Sequence, residues 1–171
     1  MIKAIAGKNI NLRDIEISDA QFVLDLRTND KKSLYLHKTD ADIQKQINYI
    51  NKYKTLKNEW YFIIEDKNGK PLGTVRIYDV IGDSFCWGSW LIVDNAPSQT
   101  ALESALLIYD YAFDYLNFNN VHFDVRKGNV KVQRFHELFG AQRTGETELD
   151  ILYKYDKETY KNISEKLKKA I

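Results

Sequence analysis

The chain has 171 residues, 44% of them hydrophobic, a length and composition that suit one well-buried core. Its 25 basic and 24 acidic residues give a net charge of +1, so no strong positive field favours nucleic acid or an anionic membrane. The first residues lack a signal-peptide pattern, and no apolar run reaches the roughly 18 residues of a membrane span. We therefore expect a single cytoplasmic domain over residues 1–171, with neither nucleic acid nor membrane as a partner.

The cysteine content excludes a disulfide within the chain, because Cys86 is the single cysteine. It lies in the apolar and aromatic segment SFCWGSWLIV. A buried, reduced thiol is the usual state of cysteine in such surroundings. We predict a packing role for Cys86 rather than a nucleophile or ligand, and no metal site.

The first part of the chain predicts a strand followed by two helices. Residues 10–15 have strand character, and Ser18 with Gln21 three residues later matches a capping box for a helix to about Arg27. Apolar side chains then recur at helical spacing over residues 40–53. This second pattern predicts a helix directly before the next strands.

Three adjacent strands follow, because the hydrophobic period changes at Glu59. The segments WYFIIE and LGTVRIYDV are rich in β-branched and aromatic residues, and DKNGK between them has turn chemistry, which predicts a hairpin. After a turn at residues 81–83, SFCWGSWLIV is almost continuously apolar, as in a central strand covered on both faces.

The last third of the chain alternates helices with strands. Pro97 and Ser98 begin a long helix with an apolar stripe, VHFDV predicts a strand, and residues 129–139 predict a short amphipathic helix that ends at Gly140. Two strands around residues 147–155 and a lysine-rich terminal helix complete the chain. The predicted order before that last helix is βααβββαβαββ, a mixed sheet and therefore an α/β architecture.

Two segments carry a family resemblance. One contains Asn129, His136 seven residues later, and the pair Gly140-Ala141. The other is Ala96-Pro97-Ser98-Gln99-Thr100-Ala101, directly after the central strand. Together with the element order over residues 10–156, they resemble the GNAT superfamily of acyl-CoA-dependent N-acyltransferases. The resemblance is nearest to the branch of ribosomal-protein N-terminal acetyltransferases and amino-sugar-nucleotide N-acetyltransferases.

Both segments depart from the family pattern. In the first, the family has Tyr seven residues after the Asn and Gly-Phe at eleven and twelve, where this chain has His136 and Gly140-Ala141. In the second, the family has Arg/Gln-x-x-Gly-x-Gly/Ala, whose backbone amides bind pyrophosphate at a helix amino terminus. Here the residue at that glycine position is Gln99, and only Ala101 fits.

The resemblance implies acetyl-CoA as co-substrate and assigns roles to particular residues. It implies that His136 is the acid that protonates the departing CoA thiolate, and a histidine can do this near neutral pH. It implies that a backbone amide near Ile92 or Val93 binds the developing oxyanion, and that Asn129 contacts the pantetheine arm. A structural histidine and an ordinary helix N-cap remain the alternatives for His136 and Asn129.

Further residues are predicted to bind the two substrates. The pyrophosphate is expected at the amides of Ser98, Gln99, Thr100 and Ala101, and Lys127 and Lys131 are within the same region. On the acceptor side, strand alternation places Arg76 and Tyr78 on the same face of their strand, and it places Trp87 and Trp90 on opposite faces of the next strand.

The chemistry of the four acceptor-side residues differs. Arg76 and Tyr78 are candidates for binding a phosphate or sugar hydroxyl, and Trp87 or Trp90 for stacking on a ring. Ordinary core packing remains open for both tryptophans. Arg27 and His37 are further candidates, because the first two helices cover the acceptor cleft in the family.

Three functions are weighed at this point. The first is acetylation of a primary amine of a small molecule, preferably an amino-sugar nucleotide, and this preference rests on the resemblance. The second is acetylation of a protein N-terminus, which an acidic groove would favour. The third is a non-catalytic acyl-CoA-binding module, which the missing glycine favours. A homodimer is left open.

Overall fold

The computed structural model of the protein describes residues 4–29 and 41–171. Within these residues the strands are β1 (Ala4–Ala6), β2 (Ile10–Asp14), β3 (Trp60–Asp66), β4 (Pro71–Ile81), β5 (Ser84–Ile92), β6 (Asn120–Arg126), β7 (Gln142–Glu146) and β8 (Asp150–Asp156). The helices are α1 (Ala20–Thr28), α2 (Ile43–Tyr53), α3 (Thr100–Asp110), α4 (Val130–Leu138) and α5 (Lys157–Lys168).

The described strands form one mixed sheet in the order β1-β2-β3-β4-β5-β6-β8-β7. Neighbouring strands are antiparallel except for β5 and β6, which are parallel. A parallel pair needs a crossover connection, and α3 provides it. The predicted mixed α/β architecture is therefore confirmed, with the short strand β1 added at the start.

The two faces of the sheet carry separate packing clusters. On one face, here called the α3 face, Phe62, Val75, Ile77, Phe85 and Val121 join the main core. On the other, the α1 face, a smaller cluster includes residues of α1 and α2 together with Tyr61 and Ile63 of β3. Successive residues of β3 belong to the two clusters in turn, because the side chains of a strand point alternately to its two faces.

The capping box at the first helix differs from the prediction. Instead of Ser18 and Gln21, the carboxylate of Asp19 accepts the Glu16 amide at 2.8 Å, at the start of a 3₁₀ turn over Ile17–Asp19. Arg13 donates two hydrogen bonds of 2.7 Å to the same carboxylate. The capping carboxylate is therefore that of Asp19, which Arg13 of β2 holds in position. The local sequence pattern does not indicate this contact between two elements.

Candidate active site

The site begins where β5 and β6 separate. The two strands pair only through Ser84 with Asn120 and Phe85 with Val121. On its other edge β5 bulges, because Thr74 lies opposite Leu91 whereas Arg76 lies opposite Gly88. Ser89, inside the bulge, has φ 47°. An extra residue of this kind bends a strand and increases its twist, so β5 diverges from β6 beyond Phe85.

The divergence leaves a cavity of about 420 Å³ between the two strands. We call it the β5–β6 opening. Residues 87–92 of β5, residues 123–126 of β6 and Asn129, Lys131, Val132 and His136 line it. The fold thus brings together β5, β6 and the segment with Asn129 and His136, which are separate in the sequence.

His136 lies at this opening, on the α3 face. Its ring centroid is 4.3 Å from that of Phe123 on β6 and 5.3 Å from that of Trp87 on β5. The residue is 5% exposed, and Nδ1 is buried without a hydrogen-bond partner. A buried polar atom without a partner is costly, and here it lies where a bound molecule could satisfy it.

Burial sets the protonation state of His136. It lowers the pKa of the imidazole from its usual 6.5 to about 3, because removal from water disfavours the charged form. The ring is therefore neutral at neutral pH and can act as a hydrogen-bond donor through one nitrogen and an acceptor through the other.

A second groove, of about 1000 Å³, adjoins the opening on the α3 face. We call it the α4 groove. Trp90 and Ile92 of β5, Ala101 of α3 and one side of α4 line it. Trp90, Ile92, Lys131 and Val132 belong to the walls of both cavities, so the groove and the β5–β6 opening are adjacent.

Asn129 stands at the start of α4 but does not cap it. Its side chain makes no capping hydrogen bond. The loop before the helix is instead held by Gln133, which donates to the carbonyls of Arg126 and Lys127 at 3.1 and 2.9 Å. The side-chain amide of Asn129 is half-buried beside the opening, and it does not serve as the N-cap of α4.

The start of α3 corrects two details of the predicted donor site. The helix begins at Thr100 rather than at Pro97 and Ser98, and Thr100 donates its amide to the Pro97 carbonyl at 3.0 Å. Val93 donates its amide to the Leu72 carbonyl at 2.8 Å. Amides already bonded within the fold are poor candidates for a ligand, which leaves Ser98, Gln99 and Ala101 for pyrophosphate. The oxyanion role of the Ile92 amide stays a prediction.

Arg76 and Tyr78 lie together on the α1 face of the sheet. The guanidinium of Arg76 is 4.1 Å from the Tyr78 ring centroid, and it also hydrogen-bonds to the Tyr49 hydroxyl of α2. Its Nε is 3.9 Å from Glu59 and makes no hydrogen bond. The Arg76 side chain is 19% exposed. Arg76 is therefore a partly exposed guanidinium held between α2 and β4, with Glu59 as its ion-pair partner.

Gly88 makes room for that arrangement. It lies opposite Arg76 in the ladder between β4 and β5. A Cβ atom at Gly88 would come within 2.9 Å of the Tyr78 hydroxyl oxygen. The missing side chain lets Tyr78 lean over β5 toward the opening.

The two predicted acceptor tryptophans do not lie on opposite faces. Trp87 and Trp90 both point to the α3 face, where Trp87 donates to the Tyr109 hydroxyl at 2.8 Å and Trp90 to the Ser104 hydroxyl at 3.1 Å. The bulge at Ser89 adds one residue and so breaks the alternation. Both rings therefore lie away from Arg76 and Tyr78, and any stacking on an acceptor stays a prediction.

The remaining predicted residues are distributed as follows. Lys127 pairs with Glu146 at 3.1 Å. Cys86 is buried, and burial raises the pKa of its thiol to about 12. His37 lies outside the described residues. Among the described residues no cluster of three or more metal-ligating side chains occurs.

The comparisons with known proteins agree with this fold. Residues 9–142 match the family described as acetyltransferase (GNAT) domain. The chain belongs to the GNAT family. A solved structure of apo FdhC, described as a nucleotide-linked sugar GNAT, is 41% identical, with a TM-score of 0.85 over 96% of this chain and 94% of FdhC. The GNAT assignment makes the protein an acetyltransferase, and the family uses acetyl-CoA.

More distant GNAT structures share the fold. A spermidine N-acetyltransferase from Vibrio cholerae, in complex with CoA and spermine, is 20% identical with a TM-score of 0.81 over 91% of this chain and all of its own. A GCN5-related N-acetyltransferase from Brucella melitensis is 16% identical with a TM-score of 0.79 over 96% of this chain and 83% of its own. No curated protein sequence matches significantly.

Sequence reasoning missed two residues of this site. Tyr49 is on α2 and contacts Arg76 only through the tertiary fold, so no local pattern could indicate it. Asp124 lines the opening from β6, and strand alternation within HFDVR could have placed it on the polar face with His122 and Arg126. For the membrane question, the described residues contain no helix that is both long and apolar enough to span a bilayer.

Proposed function

We propose that the protein transfers an acetyl group from acetyl-CoA to a primary amine of an amino-sugar nucleotide. The observation that carries the proposal is the β5–β6 opening, which adjoins the α4 groove and is also lined by Gly88 and Asp124 from the α1 face. A donor and an acceptor can therefore approach one point from two sides. The 41% identity with a nucleotide-linked sugar GNAT supports the choice of acceptor.

The residues along the α4 groove fit the donor. When bound, acetyl-CoA supplies a thioester carbonyl that an amine can attack. The positive amino terminus of α3, with the amides of Ser98, Gln99 and Ala101, would hold the pyrophosphate despite the missing glycine. Asn129 would hydrogen-bond the pantetheine arm, and Lys131, exposed at the wall of both cavities, would contact a phosphate.

His136 is the proposed proton donor to the departing sulfur. Its neutral ring first stabilises the sulfur through a hydrogen bond, which strengthens as negative charge accumulates. The same charge raises the pKa of the imidazole and so favours its protonation. The family resemblance suggests a backbone amide at the end of β5, near Ile92, as the donor to the oxyanion.

Arg76 and Tyr78 are proposed to bind the acceptor. The fork of a guanidinium matches a phosphate oxygen pair, and a tyrosine hydroxyl can donate to a sugar oxygen. Both residues lie on the α1 face, away from the α4 groove. The acceptor would therefore enter from the side opposite to the donor.

The test is an acceptor panel with the purified protein and acetyl-CoA. The panel contains amino-sugar nucleotides, the matching free amino sugars, spermidine and a peptide with a free N-terminus. CoA release is followed with a thiol reagent, and the acetylated product is identified by mass. We expect turnover with an amino-sugar nucleotide and much less with the free sugar, because only the former has phosphates. Preferential acetylation of the peptide or of spermidine would contradict the proposal.

A further inference from the structure

One side of α4 presents exposed apolar side chains to the α4 groove. Val130 and Leu138 are 47% and 67% exposed, and both line the groove. Residues four apart lie on the same side of a helix, so Arg134, which also lines the groove, lies between them. We call Val130, Arg134 and Leu138 the α4 stripe. Exposed apolar side chains grouped at a cavity are typical of a binding surface.

The guanidinium of Arg134 is not used by the fold. Arg134 is exposed, and within residues 4–29 and 41–171 it has neither an ion pair nor a hydrogen bond. The carboxylate of Glu137, one turn further along α4, is bonded instead to Arg143 and to Tyr153, each at 2.9 Å. Arg134 acts on Glu137 only through its charge. Its N–H groups therefore remain available to an anionic ligand.

The rest of the groove has a fixed aromatic wall. Phe135 of α4 and Trp90 of β5 both line it, and their ring centroids are 4.9 Å apart. The Trp90 indole is held in position because it donates to the Ser104 hydroxyl of α3 at 3.1 Å. A ligand that matches the groove therefore combines a flat, largely apolar ring with an anionic group beside Arg134.

The donor contains such a combination at one end. In the proposed function its pyrophosphate is at the start of α3, and Ala101 of that helix lines the α4 groove. The adenosine of CoA is joined directly to the pyrophosphate, so it lies within one ribose of Ala101. That ribose carries the 3′-phosphate. A phosphopantetheine thioester on a carrier protein has neither the adenine nor the 3′-phosphate.

The two basic residues of the groove differ in position. Lys131 belongs to the walls of both the groove and the β5–β6 opening, whereas Arg134 lines the groove but not the opening. The thioester is expected at the opening, beside His136. Arg134 is therefore better placed than Lys131 for the end of the donor that lies away from the reacting carbon.

We propose that the α4 stripe binds the 3′-phosphoadenosine end of the donor, with Arg134 on the 3′-phosphate and Val130 and Leu138 against the adenine ring. This inference rests on the proposed function, because it places the donor in the α4 groove. The planar guanidinium matches a pair of phosphate oxygens. Arg134 is then a specificity-determining residue, which selects free acyl-CoA over a thioester on a carrier protein.

The experiment measures the binding of CoA, dephospho-CoA and 4′-phosphopantetheine by titration calorimetry, without an acceptor. The wild type is compared with Arg134→Gln, Arg134→Lys and Leu138→Ser. The matched controls are Lys166→Gln and Leu149→Ser, because Lys166 and Leu149 are also exposed and do not line the groove. The melting temperature and the oligomeric state of each protein are measured alongside.

We expect the wild type to bind CoA at least about threefold more tightly than dephospho-CoA, as for an exposed charge pair, and this difference should shrink at high salt. Arg134→Gln should bind the two alike, and Arg134→Lys should keep part of the difference because it keeps the charge. Leu138→Ser should weaken CoA and dephospho-CoA by the same factor and leave phosphopantetheine unchanged. Both controls should match the wild type.

Three results would overturn the inference. The first is a wild type that binds CoA and dephospho-CoA equally well. The second is an Arg134→Gln protein that keeps the full difference between these two ligands. The third is a Leu138→Ser protein with an altered oligomeric state and unaltered affinities, which would make the α4 stripe an interface between copies of the chain.

Failure of the proposed function has a different signature, because no acceptor is present in these titrations. A wild type that shows the expected binding pattern but acetylates no amino-sugar nucleotide rejects the proposed acceptor and supports the α4 stripe. A wild type that binds no CoA rejects both.

Discussion

Trp87 and Trp90 lie on the same face of β5, with ring centroids 5.2 Å apart. Residues three apart in a regular strand point to opposite faces. The bulge reverses this relationship and puts both indoles against α3, where each donates a hydrogen bond. Ser89 carries the backbone distortion with φ 47°, and its carbonyl accepts the Thr74 hydroxyl at 2.7 Å.

Substitutions at Ser89 test the bulge. A β-branched residue is strained at positive φ, whereas glycine is not. We expect Ser89→Val to lower the free energy of unfolding by roughly 1–2 kcal/mol and Ser89→Gly to be close to neutral. Chemical denaturation measures both. Equal stability of the valine and glycine variants would contradict the assigned backbone conformation.

Replacement of His136 tests its place in the chemistry. His136→Phe keeps an aromatic ring against Phe123 and Trp87 but removes the nitrogen donors. Loss of a hydrogen bond to a charged group costs about 1.5–3 kcal/mol, so we expect kcat to fall at least about tenfold. His136→Tyr should retain part of the activity, because its hydroxyl can donate. Acetyl-CoA binding and the melting temperature serve as controls, and a wild-type kcat in His136→Phe would leave only a packing role.

The lowered pKa of His136 predicts an acid-sensitive stability. Burial lowers the pKa to about 3 from 6.5. Between these values the unfolded chain binds a proton that the folded protein does not, so the contribution to stability is complete above about pH 6.5 and decreases as pH falls toward 3. The loss is on the order of 1 kcal/mol per pH unit. We expect the denaturation midpoint of the wild type to fall more steeply with decreasing pH over this range than that of His136→Phe. Parallel plots of midpoint against pH for the two proteins would refute this prediction.

Lys131 and Lys127 form a matched pair for the donor site. Lys131 lines both the α4 groove and the opening, whereas Lys127 is paired with Glu146 at 3.1 Å. We expect Lys131→Ala to weaken acetyl-CoA binding about two- to tenfold, more at low salt than at high salt because the contact is solvent-exposed. Lys127→Ala should bind as wild type does. Titration calorimetry at two salt concentrations measures this, and a larger effect from Lys127 would reverse the assignment.

Replacement of Arg76 tests whether this residue binds the acceptor rather than the donor. We expect Arg76→Ala to raise the KM of the acceptor about tenfold or more, from the loss of a charged hydrogen bond, while the donor KM changes little. Arg76→Lys keeps the charge but not the fork, and should fall in between. Steady-state kinetics with each substrate varied in turn is the measurement. Equal changes in both KM values would indicate general destabilisation.

The sequence predicted the fold well because its elements are strongly patterned. WYFIIE, LGTVRIYDV and SFCWGSWLIV became β3, β4 and β5, and the helix before Gly140 ends with that residue at φ 91°. The helix starts were less predictable, since Asp19 caps through a partner on another element. Thr100 similarly depends on a turn bond to Pro97.

The site was predictable where a motif fixed the spacing and unpredictable where tertiary packing decided. Asn129 and His136, which the family motif links by their spacing, both line the opening, and their roles stay predictions. The bulge at Ser89 has no glycine to indicate it, so the side-chain alternation beyond it was misassigned for Trp90. The burial that sets the protonation of His136 comes from Trp87 and Phe123, which are distant along the chain.

The opening between β5 and β6 also has a consequence for the order of events in turnover. Because residues of both sheet faces line it, a donor and an acceptor on opposite faces can meet there, and neither substrate has to vacate the site before the other arrives. Both can be bound at once, and the acetyl group has no need to rest on the protein between them. The buried, protonated thiol of Cys86 is unsuited to carrying it in any case. The architecture thus favours a ternary complex with direct transfer over a double-displacement cycle through an acetylated enzyme.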